Sequence, residues 1–254
     1  MTELFSIAGR RALITGASQG IGRMIATGYV NAGATVYVCS RNQAACRTLE
    51  KDLSGGGRCV AIPGDVSTES GCRAIADALQ GHEDRLDILV NNAGAAAMAP
   101  IESFGDDVWD SVLAVNLKGP FYLVRFLLPL LRAASAPDDP ARVINIGSIS
   151  AMRIQDMDNY AYSASKSALH TLTRHLARRL APAVTVNTIA PGPFPSLMMA
   201  DVLDRHGAQI AAAAPMRRIG REDDIAGAAI FLASAAAAWM TGTTMILDGG
   251  LSTT

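Results

Sequence analysis

Tyr162 and Lys166 stand four residues apart in the run Tyr160-Ala-Tyr162-Ser-Ala-Ser-Lys166. On a helix that spacing puts both on one face, a turn from each other. An ammonium beside a phenol favours the phenolate and lowers a pKa that is otherwise about 10. The pair is then tuned to exchange a proton near neutral pH. Tyr160, six before Lys166, falls on a different face and is a poorer candidate. A further hydroxyl, Ser148 in Asn145-Ile-Gly-Ser148-Ile-Ser150, could hydrogen-bond a substrate oxygen, with Ser150 a weaker substitute. It is not an acyl-transfer nucleophile, because Gly147-Ser148 lacks the G-x-S-x-G surround. His170 is eight residues, roughly 12 Å, from Tyr162 along a helix and reads as packed or solvated. His82, His175 and His206 have no motif around them. The carboxylate pairs Asp106/Asp107, Asp138/Asp139 and Asp223/Asp224 are adjacent and so share no face. They read as loop or helix-start residues.

A second kind of chemistry is written in Thr15-Gly16-Ala-Ser18-Gln-Gly20-Ile21-Gly22. Glycines let the chain turn sharply and let a phosphate approach the backbone. A helix starting there offers free N–H groups and a positive dipole end to a pyrophosphate. The spacing is G-x-x-x-G-x-G rather than the common G-x-G-x-x-G, and tight helix-on-strand packing would use the same glycines. The following strand ends Cys39-Ser40-Arg41-Asn42, with no carboxylate to hold a ribose 2′-hydroxyl. Arg41 and the Ser40 hydroxyl suit a 2′-phosphate, which favours NADP(H) over NAD(H).

These groups need elements to carry them. Short β-branched or apolar runs alternate with helix-length segments. Strands are expected at 12–15, 35–39, 58–62, 86–90, 142–146, 184–189 and 244–247. Helices are expected at 20–32, 43–53, 68–79, 160–180 and 224–233, and a long one at 106–131 with bends at Gly119-Pro120 and Pro129. The alternation predicts an α/β fold of right-handed βαβ units, a doubly wound parallel sheet with helices on both faces. No linker or repeat divides residues 1–254, so one Rossmann-type domain is expected, its ligand beyond the carboxyl ends of the strands.

The chain has 254 residues, 50% of them hydrophobic and 18% charged, with net charge -1. That excludes a disordered chain and argues against a nucleic-acid or basic membrane-surface binder. The four cysteines form no C-x-x-C pair and have no histidines at zinc spacing, so no metal site is expected and a reducing cytoplasm is. Met1–Ser6 carries no signal-peptide pattern. Ile225–Leu247 is uncharged and long enough to span a bilayer, but Thr241-Gly-Thr-Thr244 interrupts it, and a helix, a turn and a buried strand fit better.

Taken in order, these motifs resemble the classical short-chain dehydrogenase/reductase family over essentially the whole chain. The matches are Thr15–Gly22, Gly64-Asp65-Val66, Asn91-Asn92-Ala93-Gly94, Asn116, Ser148, Tyr162 with Lys166, Pro191-Gly192-Pro193-Phe194-Pro195-Ser196 and Asp248-Gly249-Gly250. The resemblance implies a catalytic set of Asn116, Ser148, Tyr162 and Lys166. It implies that Gly16, Ser18, Gly20, Ile21 and Gly22 hold the cofactor pyrophosphate, with Ser40 and Arg41 at the ribose phosphate and Asp65 and Val66 at the adenine. Asn91, Ala93 and Gly94 would line the cofactor wall. Tyr162 and Lys166 would also touch the ribose, and Pro191, Gly192, Phe194 and Ser196 would hold the nicotinamide end. Asn116 would hold a water relaying protons to Lys166. Such an enzyme reduces a ketone to a secondary alcohol, reversibly.

Within the family the likeness is to 3-oxoacyl thioester reductases of the rhamnolipid-pathway type, carried by Arg142–Ser148 and the Pro-Gly-Pro-Phe-Pro-Ser run. Leu197, Met198, Met199, Val202 and Leu203 are apolar and are expected in a lid helix, where methionines suit an adaptable pocket. Carrier-dependent relatives place basic residues before the fifth and sixth strands. Here those places read Asp138-Asp139-Pro140 and Ala181-Pro182-Ala183, with Arg178 and Arg179 nearby. An acyl carrier protein is therefore less favoured as a partner. A sugar or cyclic-alcohol dehydrogenase, or a nucleotide-binding protein without turnover, stays as an alternative. Apolar surface on the long helices and at 235–247 predicts a homotetramer of closed symmetry.

Overall fold

The computed structural model describes residues 3–55, 57–154 and 157–253; Met1 and Thr2 of the N-terminal stretch lie outside them. Among the described residues are seven parallel strands: β1 (Arg11–Thr15), β2 (Thr35–Cys39), β3 (Cys59–Ala61), β4 (Ile88–Asn91), β5 (Ala141–Ile146), β6 (Val184–Pro191) and β7 (Thr244–Leu247). Their order across the sheet is β3-β2-β1-β4-β5-β6-β7. The helices are α1 (Gly20–Asn31), α2 (Gln43–Leu53), α3 (Glu69–Gln80), α4 (Asp106–Leu113), α5 (Gly119–Ala134), α6 (Tyr160–Leu180), α7 (Ala200–Ala213) and α8 (Glu222–Ala233). The order reverses between β1 and β4, and that switch point opens a crevice at the carboxyl ends of the strands.

The sheet is covered on both faces, which is why β4, β5 and β6 read as unbroken buried runs. One face packs Ile14, Val38, Val90 and Ile144 against α1 and α8. The other packs Leu13, Leu89, Val143 and Val186 beneath α3, α5 and α6. Helix starts follow their caps: the Asn42 side chain accepts from the Ala45 N–H and Thr68 from the Gly71 N–H.

Some expectations need adjustment. The long helix runs on to Ala134, and its irregularity is a π turn at Ala114–Lys118, upstream of the expected bends. This places Asn116 inside a local bulge of the kind that often marks functional sites. The segment after Ser196 does become a helix, but it opens with a 3₁₀ turn at Leu197–Met199, where Ser196 Oγ accepts from the Met199 N–H at 3.3 Å. The run at 225–247 divides, as expected, into a helix (α8), a 3₁₀ turn and a strand (β7), but β7 is an edge strand and only half-buried, not buried. Among the described residues, the helical run long and apolar enough to cross a membrane is instead Asp106–Ala134. It buries Leu123, Leu127 and Leu131 in the core above the sheet.

Candidate active site

Ser148 lies just past β5, buried, and its Oγ accepts from the Ser150 N–H at 3.1 Å. Tyr162 and Lys166 share the face of α6 turned toward it. The Lys166 side chain is 4% exposed, and its ammonium donates to the Ile146 carbonyl at 2.8 Å. Its Nζ stands 5.7 Å from the Tyr162 ring centre.

The electrostatics differ from the expectation. Burial raises the Tyr162 pKa, and the hydrogen bond from Ser148 works against that rise. The ammonium does not supply the expected lowering, because it is turned to the Ile146 carbonyl and is itself pushed down to about 8 by burial. His170, one turn further on, is pressed to about 4 by burial and by the neighbouring Lys166 and Arg174 charges. The lowering leaves it a neutral imidazole at physiological pH rather than an imidazolium acid. Tyr160 is turned away, its hydroxyl donating to Asp158 at 2.7 Å.

Asn116 is buried, and its amide is fully engaged. Nδ2 donates to the Ala95 carbonyl at 2.8 Å and to Ser165 Oγ at 2.9 Å, while Oδ1 accepts from the Ala95 N–H at 2.8 Å. It ties the chain after β4 to α6. A Cβ on Gly94 would stand 3.7 Å from Asn116 Oδ1 and 3.8 Å from Lys166 Nζ, so these three residues face one point.

The glycine loop passes a test of fit for a dinucleotide. Gly16 and Gly20 have φ of 64° and 54°, where other residues are strained. A Cβ on Gly22 would come within 2.3 Å of Asn92 Nδ2 and 2.4 Å of the Gly16 carbonyl oxygen. The α1 N-terminus receives no side-chain cap from Gln19, so its first N–H groups stay available to an anion. Ser18 and Ile21 flank this turn, half-buried. Ser196 closes on it: a Cβ on Gly20 would be 3.0 Å from Ser196 Cβ.

Arg41 is exposed at the end of β2 and has no ion-pair partner among the described residues, while Ser40 Oγ lies 3.1 Å from Cys46 Sγ. Asp65 accepts from the Ser67 N–H at 2.9 Å, and Val66 is buried behind it. Pro191 ends β6. The Gly192 N–H donates to Leu247 at 2.9 Å, and the Phe194 ring is buried against Gly220. Ala93 sits in the β4 loop, its N–H donating to Thr15 Oγ1 at 3.1 Å. The Asn91 side chain, expected at the cofactor wall, is turned into the sheet and donates to Asn145 Oδ1 at 2.9 Å. Its backbone is what it offers the crevice.

Two residues not singled out from sequence hold this assembly. Asn92 Nδ2 donates to the Thr15 and Gly16 carbonyls at 2.8 and 3.1 Å, clamping the glycine loop to β4. Ser165 links Asn116 to α6 and donates to the Tyr162 carbonyl at 2.7 Å. Asn92 lay inside a motif already noted. Ser165 carried no signal of its own.

A parallel doubly wound sheet, a glycine turn at its switch point and a phenol–ammonium pair beside a buried serine define a dinucleotide-dependent oxidoreductase. The chain belongs to the short-chain dehydrogenase/reductase family and acts between CH–OH and C=O groups with NAD(P). A family model described as enoyl-(acyl carrier protein) reductase matches residues 16–252. The chain is 46% identical over 253 residues to the rhamnolipids biosynthesis 3-oxoacyl-[acyl-carrier-protein] reductase of Pseudomonas aeruginosa, covering 98% of this chain and 99% of that one. It is 34% identical to a D-threitol dehydrogenase of Mycolicibacterium smegmatis, covering 97% and 94%. Among solved structures it resembles the Pseudomonas aeruginosa RhlG/NADP active-site complex, with a TM-score of 0.95, 45% identity and 99% of both chains covered. It also resembles a gluconate 5-dehydrogenase from Burkholderia cenocepacia in complex with NADP and tartrate. There the TM-score is 0.91 at 32% identity, with 99% and 98% covered.

The buried ammonium predicts a pH signature. With a folded pKa of about 8 against an ordinary 10.5, the folded chain carries the full cost of burying the charge below pH 8. Between 8 and 10.5 the unfolded chain binds more protons, so stability rises with pH through that window. Lys166→Met should therefore be more stable than the wild type at pH 7, by up to about 3 kcal/mol. Denaturant melts across pH 7–11 should show that advantage closing above pH 8. An advantage independent of pH would place its source elsewhere than in the charge.

Proposed function

We propose that this enzyme reduces the ketone of a 3-oxoacyl thioester, or a similar ketone on an apolar chain, to a secondary alcohol with NADPH. The observation that supports the substrate class is a collar of exposed apolar side chains on the loops leaving three adjacent strands. Met98 and Ile101 follow β4, Met152 and Ile154 follow β5, and Leu197 and Met198 follow β6. The first two loops touch: the Ala99 N–H donates to the Asp158 carbonyl at 3.3 Å, and Phe104 packs edge-on to Tyr160. A polyol would find few partners on such a rim, whereas an acyl chain would be desolvated by it.

The bound dinucleotide supplies the hydride, or takes it in the reverse direction. Ser148 and Tyr162 would hydrogen-bond the substrate oxygen, and Tyr162 would donate its proton as charge develops there. Lys166 would hold the ribose and keep a positive charge near the phenol. Asn116 would fix the loop at Ala95 against α6, its amide being committed to those bonds. Gly16, Ser18, Gly20, Ile21 and Gly22 would cradle the pyrophosphate. Ser40 and Arg41 would bind the 2′-phosphate, and Asp65, Val66 and the backbone of Asn91, Ala93 and Gly94 would border the adenosine. Pro191, Gly192, Phe194 and Ser196 would hold the nicotinamide end. The NADP named with two of the similar structures supports the cofactor choice.

Coenzyme A and an acyl carrier protein are the two carriers on which such a thioester would arrive. Asp138-Asp139-Pro140 and Ala181-Pro182-Ala183 immediately precede β5 and β6, at the amino ends of the strands, opposite the crevice. Their lack of basic residues therefore does not bear on a carrier approaching this chain's own site. A tetramer is supported by the unpaired edge of β7, which has no charged residue. Ile246 on it is 49% exposed, and nearby Trp239 is 99% exposed. The cysteines, all buried and free, suit a cytoplasmic enzyme.

Four outcomes are expected. NADPH absorbance at 340 nm should fall fastest with long-chain 3-oxoacyl esters in a panel that includes sugars and cyclic ketones. Tyr162→Phe should fold and lose about 10²–10⁴-fold in kcat; near-normal turnover would reject the assignment of the acid. Arg41→Ala should raise the KM for NADPH far more than that for NADH, and a wild-type preference for NADH would reject the 2′-phosphate reading. Light scattering at micromolar concentration should give four times the chain mass; a monomer would contradict the assembly.

A further inference from the structure

The sheet face beneath α6 changes character one row below the crevice. Leu89, Val143 and Val186 are register partners in β4, β5 and β6 and form an apolar row. Two residues toward the carboxyl ends, the next row on the same face is Asn91, Asn145 and Thr188, again direct partners. All three are buried, at 3%, 0% and 0% exposure. Buried polar side chains are costly unless they are bonded, so a whole row of them asks for a reason.

The row converges on Thr173 of α6, itself 0% exposed. Asn91 Nδ2 donates to Asn145 Oδ1, and Asn145 Nδ2 donates to Thr173 Oγ1 at 2.9 Å. The Thr173 hydroxyl donates its one proton to the Leu169 carbonyl at 2.9 Å. Its 2.8 Å contact with Thr188 Oγ1 must then be donated by Thr188. Every hydrogen-bonding capacity of the Thr173 hydroxyl is used, and the proton count allows one arrangement. Thr173 follows Lys166 by seven residues, two turns along the same face of the helix. A slip or rotation of α6 would break these bonds and also carry Lys166 off the Ile146 carbonyl and Tyr162 off Ser148.

We infer that Thr173 is a positioning residue. Held by Asn145 and Thr188, it fixes the register of α6 on the sheet and thereby the meeting of Tyr162 with Ser148 and of Lys166 with Ile146. The inference rests on the reading of Tyr162 as the proton donor. It assigns the polar row to the geometry of the site rather than to stability alone. A misplacement of about 1 Å at reacting groups costs as much as about 100-fold.

The test compares Thr173→Val, which keeps the shape and deletes the hydroxyl, with Thr173→Ser, which restores it, and with Thr188→Val, a milder loss should the first variant fold poorly. Each is assayed well below its own melting midpoint, with the substrate that the panel selects. Thr173→Val should lose about 10- to 100-fold in kcat with KM changed little; Thr188→Val should lose less, and Thr173→Ser should recover. The limb of the pH profile belonging to Tyr162 should also move to higher pH, because the Ser148 hydrogen bond limits the rise that burial imposes. The groups placed around the phenol are Ser148 beyond β5 and Lys166 on α6, with His170 a turn further along α6. A role in stability alone would lower the melting midpoint and leave kcat and the limb in place; that result, seen in folded Thr173→Val or Thr188→Val, overturns the inference. A Tyr162→Phe control separates the layers. If it is inactive while Thr173→Val is normal, only the positioning role fails; if it is active, both readings fall.

Discussion

Holding an ammonium out of water beside a phenol is the constraint on which the rest of this structure depends. Lys166 is buried in a helix face that must also meet a sheet. An isolated buried cation would shed its proton or pull the helix apart. Here the ammonium donates to the Ile146 carbonyl at the end of β5, and the pKa falls only to about 8. That anchor works only if α6 keeps one height and one rotation over the sheet. Three sets of bonds hold it there: Asn116 to Ser165, Lys166 to Ile146, and Thr173 to the polar row.

A second constraint is backbone proximity. The loop between β1 and α1 lies so close to the chain after β4 that a side chain at Gly16 or Gly22 would collide with Asn92 or Ala93. Asn92 turns this closeness into bonds by donating to the two carbonyls that the turn leaves over. Thr15 joins from below, its Oγ1 accepting from the Asn92 and Ala93 N–H groups at 3.0 and 3.1 Å. The same packing that leaves no room for side chains leaves the α1 N–H groups uncovered. Affinity for an anion therefore comes from the shape of the turn more than from charged residues.

The two ends of the sheet have been given different work. At the carboxyl ends the loops are apolar at the surface and polar beneath. At the other end, Arg142 is fully buried and donates to Asp139 and to the Ser234 carbonyl, while Arg10 donates to both oxygens of Asp139. Those ionic contacts hold the turn before β5 far from the chemistry. This division leaves the crevice end free to vary its loops while the opposite end secures the frame.

Much of this was legible in the chain itself. Alternating apolar runs and helix-length segments placed seven strands and most helices within a few residues, because local periodicity reflects which face of each element is buried. Motif order carried the family, while helical spacing alone paired Tyr162 with Lys166 four residues away. What the sequence could not state was which side chains, tens of residues apart in the chain, would point at one another. Asn116 and Ser165 are 49 residues apart, and Asn145 and Thr173 are 28 apart. Only the folded arrangement shows that the Asn91 side chain bonds to Asn145 and that Asp138 lies at the amino end of the sheet, opposite the crevice. It also shows the Lys166 ammonium spent on a carbonyl, so that burial raises the tyrosine pKa. The chain determined which groups are available through local spacing. Tertiary packing decided their partners, because hydrogen bonding and desolvation depend on distances between segments that no local pattern encodes.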